Sequence, residues 1–462
     1  MKIKTIMIMR NIKSIIAVSL LTLSTAAMAQ NLQSGYFTDG FLYRHDMNPA
    51  IGNDQSYVSM PILGNFNFST QGNVGVKSFL YDVNGRTATF LHPSVSTEEF
   101  LGNINDANKL SQDLRLQILG AGFKSFGGYT TFEINVRENF GLTAPGSLLR
   151  AMKEGLQNKT YDFSALGSSA SAYAEIALGH SHQINEQLRI GAKVKVLLGI
   201  ADEKVTVNKG ELTLGEDGYK ASVDAEVSLA AKEIKFDHDV NENTNHKYVS
   251  GIDEFTAGIA GTGFAVDLGA EYKLNDAWKF SAAIVDLGFI NYSHSYLAST
   301  GGVKNFNTDK YTFNVDDEAT NNFDDELDKM VDDLSKLYEL EDKGDKGSTK
   351  RSLGATVNVG AQFTLPAYDK FSVGLLGTTH MNGDYSWSEA RLSANIAPAK
   401  FFSAGVNVSA GTYGMGFGWI INLHPNGFNL FMGMDRFLGS VTKQYIPLNS
   451  NTSFSMGVNF PF

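Results

Sequence analysis

The sequence predicts an all-β fold, a membrane-spanning antiparallel β-barrel of about fourteen strands. Three observations carry that expectation. The chain ends on an alternation in which Phe454, Met456, Val458, Phe460 and Phe462 oppose Ser455, Gly457, Asn459 and Pro461, the period of a strand with one apolar face. The same period recurs upstream. Phe264, Val266, Leu268, Ala270, Tyr272 and Leu274 alternate with Ala265, Asp267, Gly269, Glu271 and Lys273, and Leu188 to Leu198 alternates likewise with Arg189, Gly191, Lys193 and Lys195. Composition is the third. With 46 Gly, 31 Phe and 18 Tyr against 9 Pro in 462 residues, the chain suits many strands, tight turns and aromatic girdles. No apolar run after the first 30 residues is long enough for a membrane helix. A soluble β-protein of this length would need about two or three domains, and no linker divides the chain.

The first element is a signal segment over 1–29. Lys2, Lys4, Arg10 and Lys13 precede a short apolar stretch, Ile15 to Leu23, and Ala27-Met28-Ala29 offers a cleavage site before Gln30. No Cys follows it, so lipid anchoring is excluded, and with no Cys anywhere there is no disulfide framework or thiol chemistry. Residues 30–60 come next, an aromatic segment with Tyr36, Phe37, Phe41, Leu42 and Tyr43. The barrel is expected to fill 61–462.

Candidate strands are 66–81, 113–125, 128–139, 170–183, 187–200, 263–274, 277–293, 352–365, 370–380, 385–397, 400–411, 413–424, 426–437 and 451–462. Their number is even, as in single-chain bacterial barrels. In 277–293 both faces are apolar, which leaves its orientation open. Short turns fall at Phe126-Gly127-Gly128, Asn185-Glu186, Asn275-Asp276, Ala367-Tyr368, Pro398-Ala399 and Asn426-Gly427. Long segments fall at 82–112, 140–169, 201–262, 294–351 and 438–450. Long loops on one side and tight turns on the other put the long loops outside the cell and the C-terminus in the periplasm. The segment 201–262 is expected to add hairpins beyond the membrane, with its parity open.

Three loop helices are expected. Ser96-Thr97-Glu98-Glu99 is a capping box. Pro145 opens a stretch with Leu148, Leu149, Met152 and Leu156 on one face. Asp324 to Glu341 carries a helical stripe through Leu327, Met330, Val331, Leu334, Leu337 and Tyr338. Residues 316–342 hold twelve acidic groups against Lys329 and Lys336, so this one segment carries nearly all of the chain's net charge of −11. It reads as a solvated face or as a surface for cations or a basic partner, without the spacing of a calcium loop.

Catalytic signatures are absent: no H-E-x-x-H, G-x-S-x-G or Walker element stands in a supporting context. An enzyme, a cofactor and a bound metal are therefore not expected, nor is nucleic acid in so acidic a chain. His180 and His182 share a strand face that continues the lipid-facing row, which suits the interface better than a metal. The glycines of Gly414-Met-Gly-Phe-Gly418 mark close packing of the N-terminal segment against the wall.

Three resemblances follow from these residues. A last strand closing on Phe454, Phe460 and Phe462 resembles the signal read by the outer-membrane barrel-assembly machinery. Asn48-Pro49-Ala50, ahead of the first strand, resembles the element in the N-terminal plug of the long-chain fatty-acid transporter (FadL-like) superfamily, although Ile51 stands where that superfamily has Gly. The repeated Asp267-Leu-Gly269 and Asp286-Leu-Gly288, around Tyr272-Lys-Leu-Asn-Asp-Ala-Trp278, look like the uncharacterised DUF5723 type of outer-membrane protein. The resemblance implies a fourteen-stranded barrel in the outer membrane of a Gram-negative bacterium, plugged by 30–60. It implies passive transport of a hydrophobic or amphipathic small molecule. The type IX secretion shuttle resembles the same superfamily, so a platform that binds a secreted protein is the alternative.

A fourteen-stranded barrel encloses a wide lumen. Alternation aims Arg115, Glu133, Arg137, Glu175, Arg189, Lys193, Lys195, Asp267 and Glu271 inward. Mixed signs predict ion pairs between plug and wall rather than an ion-selective pore, with an aromatic-lined path for solute. An Arg at lumen-facing Asn459 is expected to cost less than one at lipid-facing Val458.

Overall fold

The computed structural model describes residues 31–216, 218–241, 244–312, 323–436 and 451–462. The expected signal segment, the loop placed at 438–450 and the acidic groups Asp316, Asp317 and Glu318 lie outside them.

Fourteen antiparallel strands close into a barrel. They are β1 (Phe66–Gly72), β2 (Ala107–Ser125), β3 (Gly128–Pro145), β4 (Gly167–Gln183), β5 (Leu188–Gly215), β6 (Gly261–Lys273) and β7 (Trp278–Tyr292). The second half comprises β8 (Ala355–Thr364), β9 (Phe371–Met381), β10 (Trp387–Ala399), β11 (Phe402–Gly411), β12 (Gly414–Leu423), β13 (Asn429–Met434) and β14 (Thr452–Pro461). Closure comes from β14, whose Thr452–Met456 pairs with Phe66–Thr70 of β1. A short strand, Tyr57–Ser59, prolongs that seam by pairing with Asn459–Pro461, so these residues belong to the wall and the interior segment ends before them.

The alternation explains the closure. Phe264, Leu268, Ile190, Val194, Val196 and Phe460 are exposed on the outside, while Asp267, Lys193, Lys195 and Asn459 are buried inside. An apolar band on the outer wall with a polar interior is the arrangement a lipid-spanning barrel requires, and no helix among the described residues is long and apolar enough to cross a membrane. At the turn end, Trp278, Phe280, Tyr272, Phe123, Phe126 and Phe462 form an exposed aromatic belt. His180 and His182 extend the outward row of Ile176 and Leu178 there, beside Phe126. Phe126 and Gly127 both take positive φ (51° and 73°), as a two-residue hairpin turn demands. Pro398 and Ala399 stay in β10, and the turn falls on Lys400-Phe401.

On the other side the strands outrun the membrane. β5 has 28 residues, and its far half pairs with Gly218–Ala230, which pairs in turn with Tyr296–Ser299 and Lys304–Asn307. Glu233–Val240 and Lys247–Thr256 form a separate hairpin. The alternation simply continues past the expected limits, so sequence set the start of β2 too late and the ends of β3 and β5 too early, and it carried β1 too far: the chain leaves the wall at Gly72, and Leu80–Val83 pairs instead with Arg86–Thr89.

Helix α1 (Thr97–Leu101) is capped by Ser96, whose hydroxyl accepts from the Glu99 N–H. Helix α2 (Gly146–Glu154) starts after Pro145, which is still paired with Ala107 at the end of β3. Phe90, Val95, Phe100 and Leu149 bury together beneath these two helices. Helix α3 (Phe323–Ser335) is shorter than its stripe predicts. Leu337 turns in against Ala221 and Phe306, and the chain leaves the helix so that Glu341–Asp345 can pair with Tyr296–Ser299.

Candidate functional site

The lumen is filled by residues 31–56. Leu32, Tyr36, Phe37, Phe41, Leu42, Tyr43, Met47 and Ile51 are buried with the wall residues Tyr57, Tyr129, Leu376, Ile420 and Phe431 in one cluster. Phe41 and Tyr43 pack edge-on or tilted against Phe431, with ring centroids 5.0 and 5.7 Å apart, a favourable aromatic geometry. These aromatics face one another and the wall.

Asn48, Pro49 and Ala50 make a tight turn against β5 and β6. The Asn48 Oδ1 accepts from the Ala50 N–H (3.0 Å), and its Nδ2 donates to the Ala270 carbonyl (3.2 Å). Pro49 disfavours helix at Asn48 and fixes its own φ. Gly191 and Gly269 are register partners on adjacent strands, and a Cβ on either would run into Pro49 or Asn48. The second residue triplet quoted from the sequence, Asp267-Leu-Gly269, thus includes half of the seat for the first. Gly418 likewise leaves room for Ser34.

The inward charges form two clusters. In the first, Asp46 of the interior segment meets Arg115 at 2.7 Å and Lys193 at 2.8 Å, and Glu133 meets Arg115 at 2.7 Å. Asn65 also donates to Asp46. His45, Asp46 and Glu133 offer atoms within 4.8 Å of one another. Arg115 and Lys193 pair with both carboxylates, so these groups form an ion-pair cluster. In the second, Lys195 meets Asp286 at 2.5 Å and Asp267 at 2.8 Å, while Arg137 meets Asp286 at 3.1 Å and Glu175 at 3.3 Å. Arg189 and Glu271 are register partners nearer the turns, outside both clusters.

Three groups of this interior were not singled out by sequence: Asp46, Asp286 and a third set around Asp435. Asp286 adopts φ +61° where two β7 residues oppose one in β6, and its N–H donates to the Asp267 carboxylate (2.7 Å). That bulge makes Asp286 point inward after Val285. Asp435 accepts from the backbone N–H groups of Gln33 (2.9 Å) and Ser34 (2.5 Å), tying down the start of the interior segment. Arg391 and Arg436 bracket Glu389 beside it. The repeated Asp-Leu-Gly was the available signal for Asp286; Asp435 had none.

Two cavities lie on opposite sides of this filling. The outer one, about 550 Å³, is floored by Asn31, Gln33 and Met47 and walled by the loop ends of β2, β4, β5 and β8. Its side chains are largely polar, among them Asp113, Ser169, Asp202, Arg351 and Tyr385. Its phenol and indole rings, Tyr173, Tyr385 and Trp387, come from the wall and its loops, while the aromatic residues of 36–43 are buried in the filling. The inner cavity, about 320 Å³, holds Asp39, Lys273, Lys279 and Lys370.

The lumen at Asn459 is solid. Asn459 is 0% exposed, accepts from the Tyr43 hydroxyl (2.7 Å) and donates to the Gly64 carbonyl (3.2 Å). The segment 31–56 occupies the space that an Arg there would need, which argues against the expectation that it costs less than an Arg at Val458.

The fold defines a membrane-spanning antiparallel β-barrel with residues 31–56 packed inside it. The chain belongs to DUF5723, a family of unknown function, which matches over residues 49–435. No curated protein matches it in sequence. Among solved structures it is similar to a mutant TodX monoaromatic hydrocarbon channel, at 9% identity and TM-score 0.44 over 95% of this chain and 96% of that one. It is also similar to the toluene transporter TodX of Pseudomonas putida (10%, TM-score 0.38, 90% of both chains). A FadL homologue of Pseudomonas aeruginosa gives 10% identity and TM-score 0.38 over 94% of this chain and 98% of that one.

Proposed function

We propose that this protein is an outer-membrane channel, closed at rest by its own N-terminal segment, through which a small amphipathic molecule passes by diffusion. The observation that carries the reading is the seat of residues 31–56. An apolar core, the Asn48-Pro49-Ala50 turn and the Asp46 ion pairs all dock one short segment into the lumen, between an outer and an inner cavity. The polar outer cavity favours an amphipathic solute over a wholly apolar one, since apolar sites carry few polar groups. Lipid surrounds the wall, and the barrel-assembly machinery is the expected partner in insertion.

The test is planar-bilayer conductance of the intact protein against a variant lacking 31–50 but keeping the signal. The intact protein should conduct little and the truncated barrel should pass small ions. A silent truncation would mean that loops or wall side chains close the lumen. High conductance of the intact protein would make it an open porin. A second reading, an outer platform for a secreted protein, draws on the sheet that β5 carries beyond the membrane. Stable co-purification of a large secreted protein with the intact barrel would favour it.

A further inference from the structure

We propose that Asp113 is the docking group for the ammonium of a small amine-bearing solute in the outer cavity; this rests on the channel reading and specifies its solute. Asp113 sits on the inward face of β2, in register between Ser69 and Asn139. It lines the outer cavity and also a side recess of about 20 Å³ that His380 and Tyr385 share. The residue is half-buried, and among the described residues its carboxylate has no hydrogen bond or ion pair.

The surrounding cations are committed elsewhere. Arg137 holds Asp286 (3.1 Å) and Glu175 (3.3 Å), Arg351 holds Asp202 (2.5 Å), and Lys109 donates to the Asp384 carbonyl (2.7 Å). Lys204, at the rim, is exposed to solvent. The Arg137 charge that reaches Asp113 is shared with Asp286 and Glu175; a carboxylate drawn half out of water is costly unless it is neutralised or directly paired, and a cation from solution would supply the direct pair. A divalent metal would ask for several oxygen ligands at short range, and this recess offers one carboxylate. An ammonium instead donates three hydrogen bonds, and Asp113, Ser169 and Tyr385 supply acceptors on its walls. Trp387, stacked on His380 with centroids 5.9 Å apart, lines the same outer cavity and adds aromatic surface for a compact apolar body. The ligand class is a primary amine on a small apolar or aromatic frame.

The experiment uses the purified full-length protein in detergent. Isothermal titration compares phenethylamine with neutral 2-phenylethanol and anionic 3-phenylpropionate. The amine should bind at least about tenfold tighter than either, and Asp113→Asn should erase that preference while leaving the alcohol unchanged; Asp113→Glu should restore part of it. Equal binding of amine and alcohol by the parent protein would overturn the proposal. So would an Asp113→Asn protein, folded by heat-modifiability, that keeps the preference. Proteoliposome uptake of 2-phenylethanol separates the two readings. If both proteins pass the alcohol but show no amine preference, the docking proposal fails and the channel stands. If neither passes it, the channel reading fails whatever the titration gives.

Discussion

Replacing Asp46 by Asn isolates the electrostatic part of the plug's attachment. The change keeps shape and volume and removes one charge. In the native cluster two carboxylates, Asp46 and Glu133, face two cations, Arg115 and Lys193, all nearly fully buried at 2.7 to 3.4 Å. Asp46→Asn leaves both cations facing Glu133 alone, so one buried positive charge is uncompensated. Removing one partner of a buried pair costs about 3–5 kcal/mol. Because Asp46 is the only member on the docked segment besides His45, that cost falls on docking and not on the barrel ladders. At about 1.4 kcal/mol per decade, the docking equilibrium should fall on the order of 10²–10³-fold. Amide hydrogen exchange reads this directly. Peptides covering 31–56 should exchange faster by that factor, while those from β6 and β7 stay protected. Adding Lys193→Met restores the charge balance, so the double variant should recover much of the lost protection. Unchanged exchange in Asp46→Asn would refute the argument, as would a double variant no better protected than the single one.

The remaining predictions concern the wall, its assembly and the outer loops. Asn459→Arg should be more damaging than Val458→Arg, since Asn459 is bonded to Tyr43 in a filled lumen whereas Val458 faces outward two residues from Phe460; near the interface the lipid-face cost falls below the midplane value of about 2–4 kcal/mol. Urea titration of the heat-modifiable folded fraction would rank the two. Deleting Phe462, whose ring is 79% exposed and whose N–H donates to the Ser56 carbonyl (2.9 Å), should lower the folded fraction in outer-membrane preparations; an unchanged fraction would make it a packing residue only. In the outer loops, burial raises the pKa of Asp333, but hydrogen bonds from Lys310, Lys336 and Tyr311 outweigh it and hold the carboxyl well below its usual range. A depressed native pKa stabilises at pH above the unfolded value of about 3.9 and is lost as pH falls through the native one. The contact of α3 with Tyr311 should therefore loosen only in strong acid, seen as proteolysis near 323–335 at low pH and none at neutral pH.

What was legible in the sequence was whatever a period of two can encode. The strands, their faces and the inward charges Arg115, Glu133, Glu175, Lys193 and Asp267 follow from alternation alone, because a lipid-facing wall punishes errors of phase. Three things were not legible. The length of β5 was hidden because alternation does not register where lipid ends. The two apolar faces of 277–293 have a physical cause: the bulge at Val285-Asp286 inverts the phase, so Ala282 and Ile284 face out before it and Leu287 and Phe289 after it. The grouping of the charges was invisible because Asp46 enters from a segment with no strand period.

That last point bears on how such a barrel fixes its interior segment in place. The wall places Arg115, Lys193 and Glu133 at fixed register positions, and this trio lacks one negative charge. Asp46 supplies it from the chain's own start. The neighbouring cluster, by contrast, draws all its members from the wall: Glu175, Asp267 and Asp286 face Arg137 and Lys195, and the interior segment supplies none of its charges. One cluster therefore depends on the docked segment and the other does not. A displaced segment would leave the first with an unpaired cation while the second stayed intact, so the wall favours the docked segment at one specific place. Gly191 and Gly269 act in the same sense by shape, since only backbone without a side chain admits the Asn48-Pro49 turn. Charge and shape thus select the same segment in the same register, the charge borne by β2, β3 and β5 and the shape by β5 and β6.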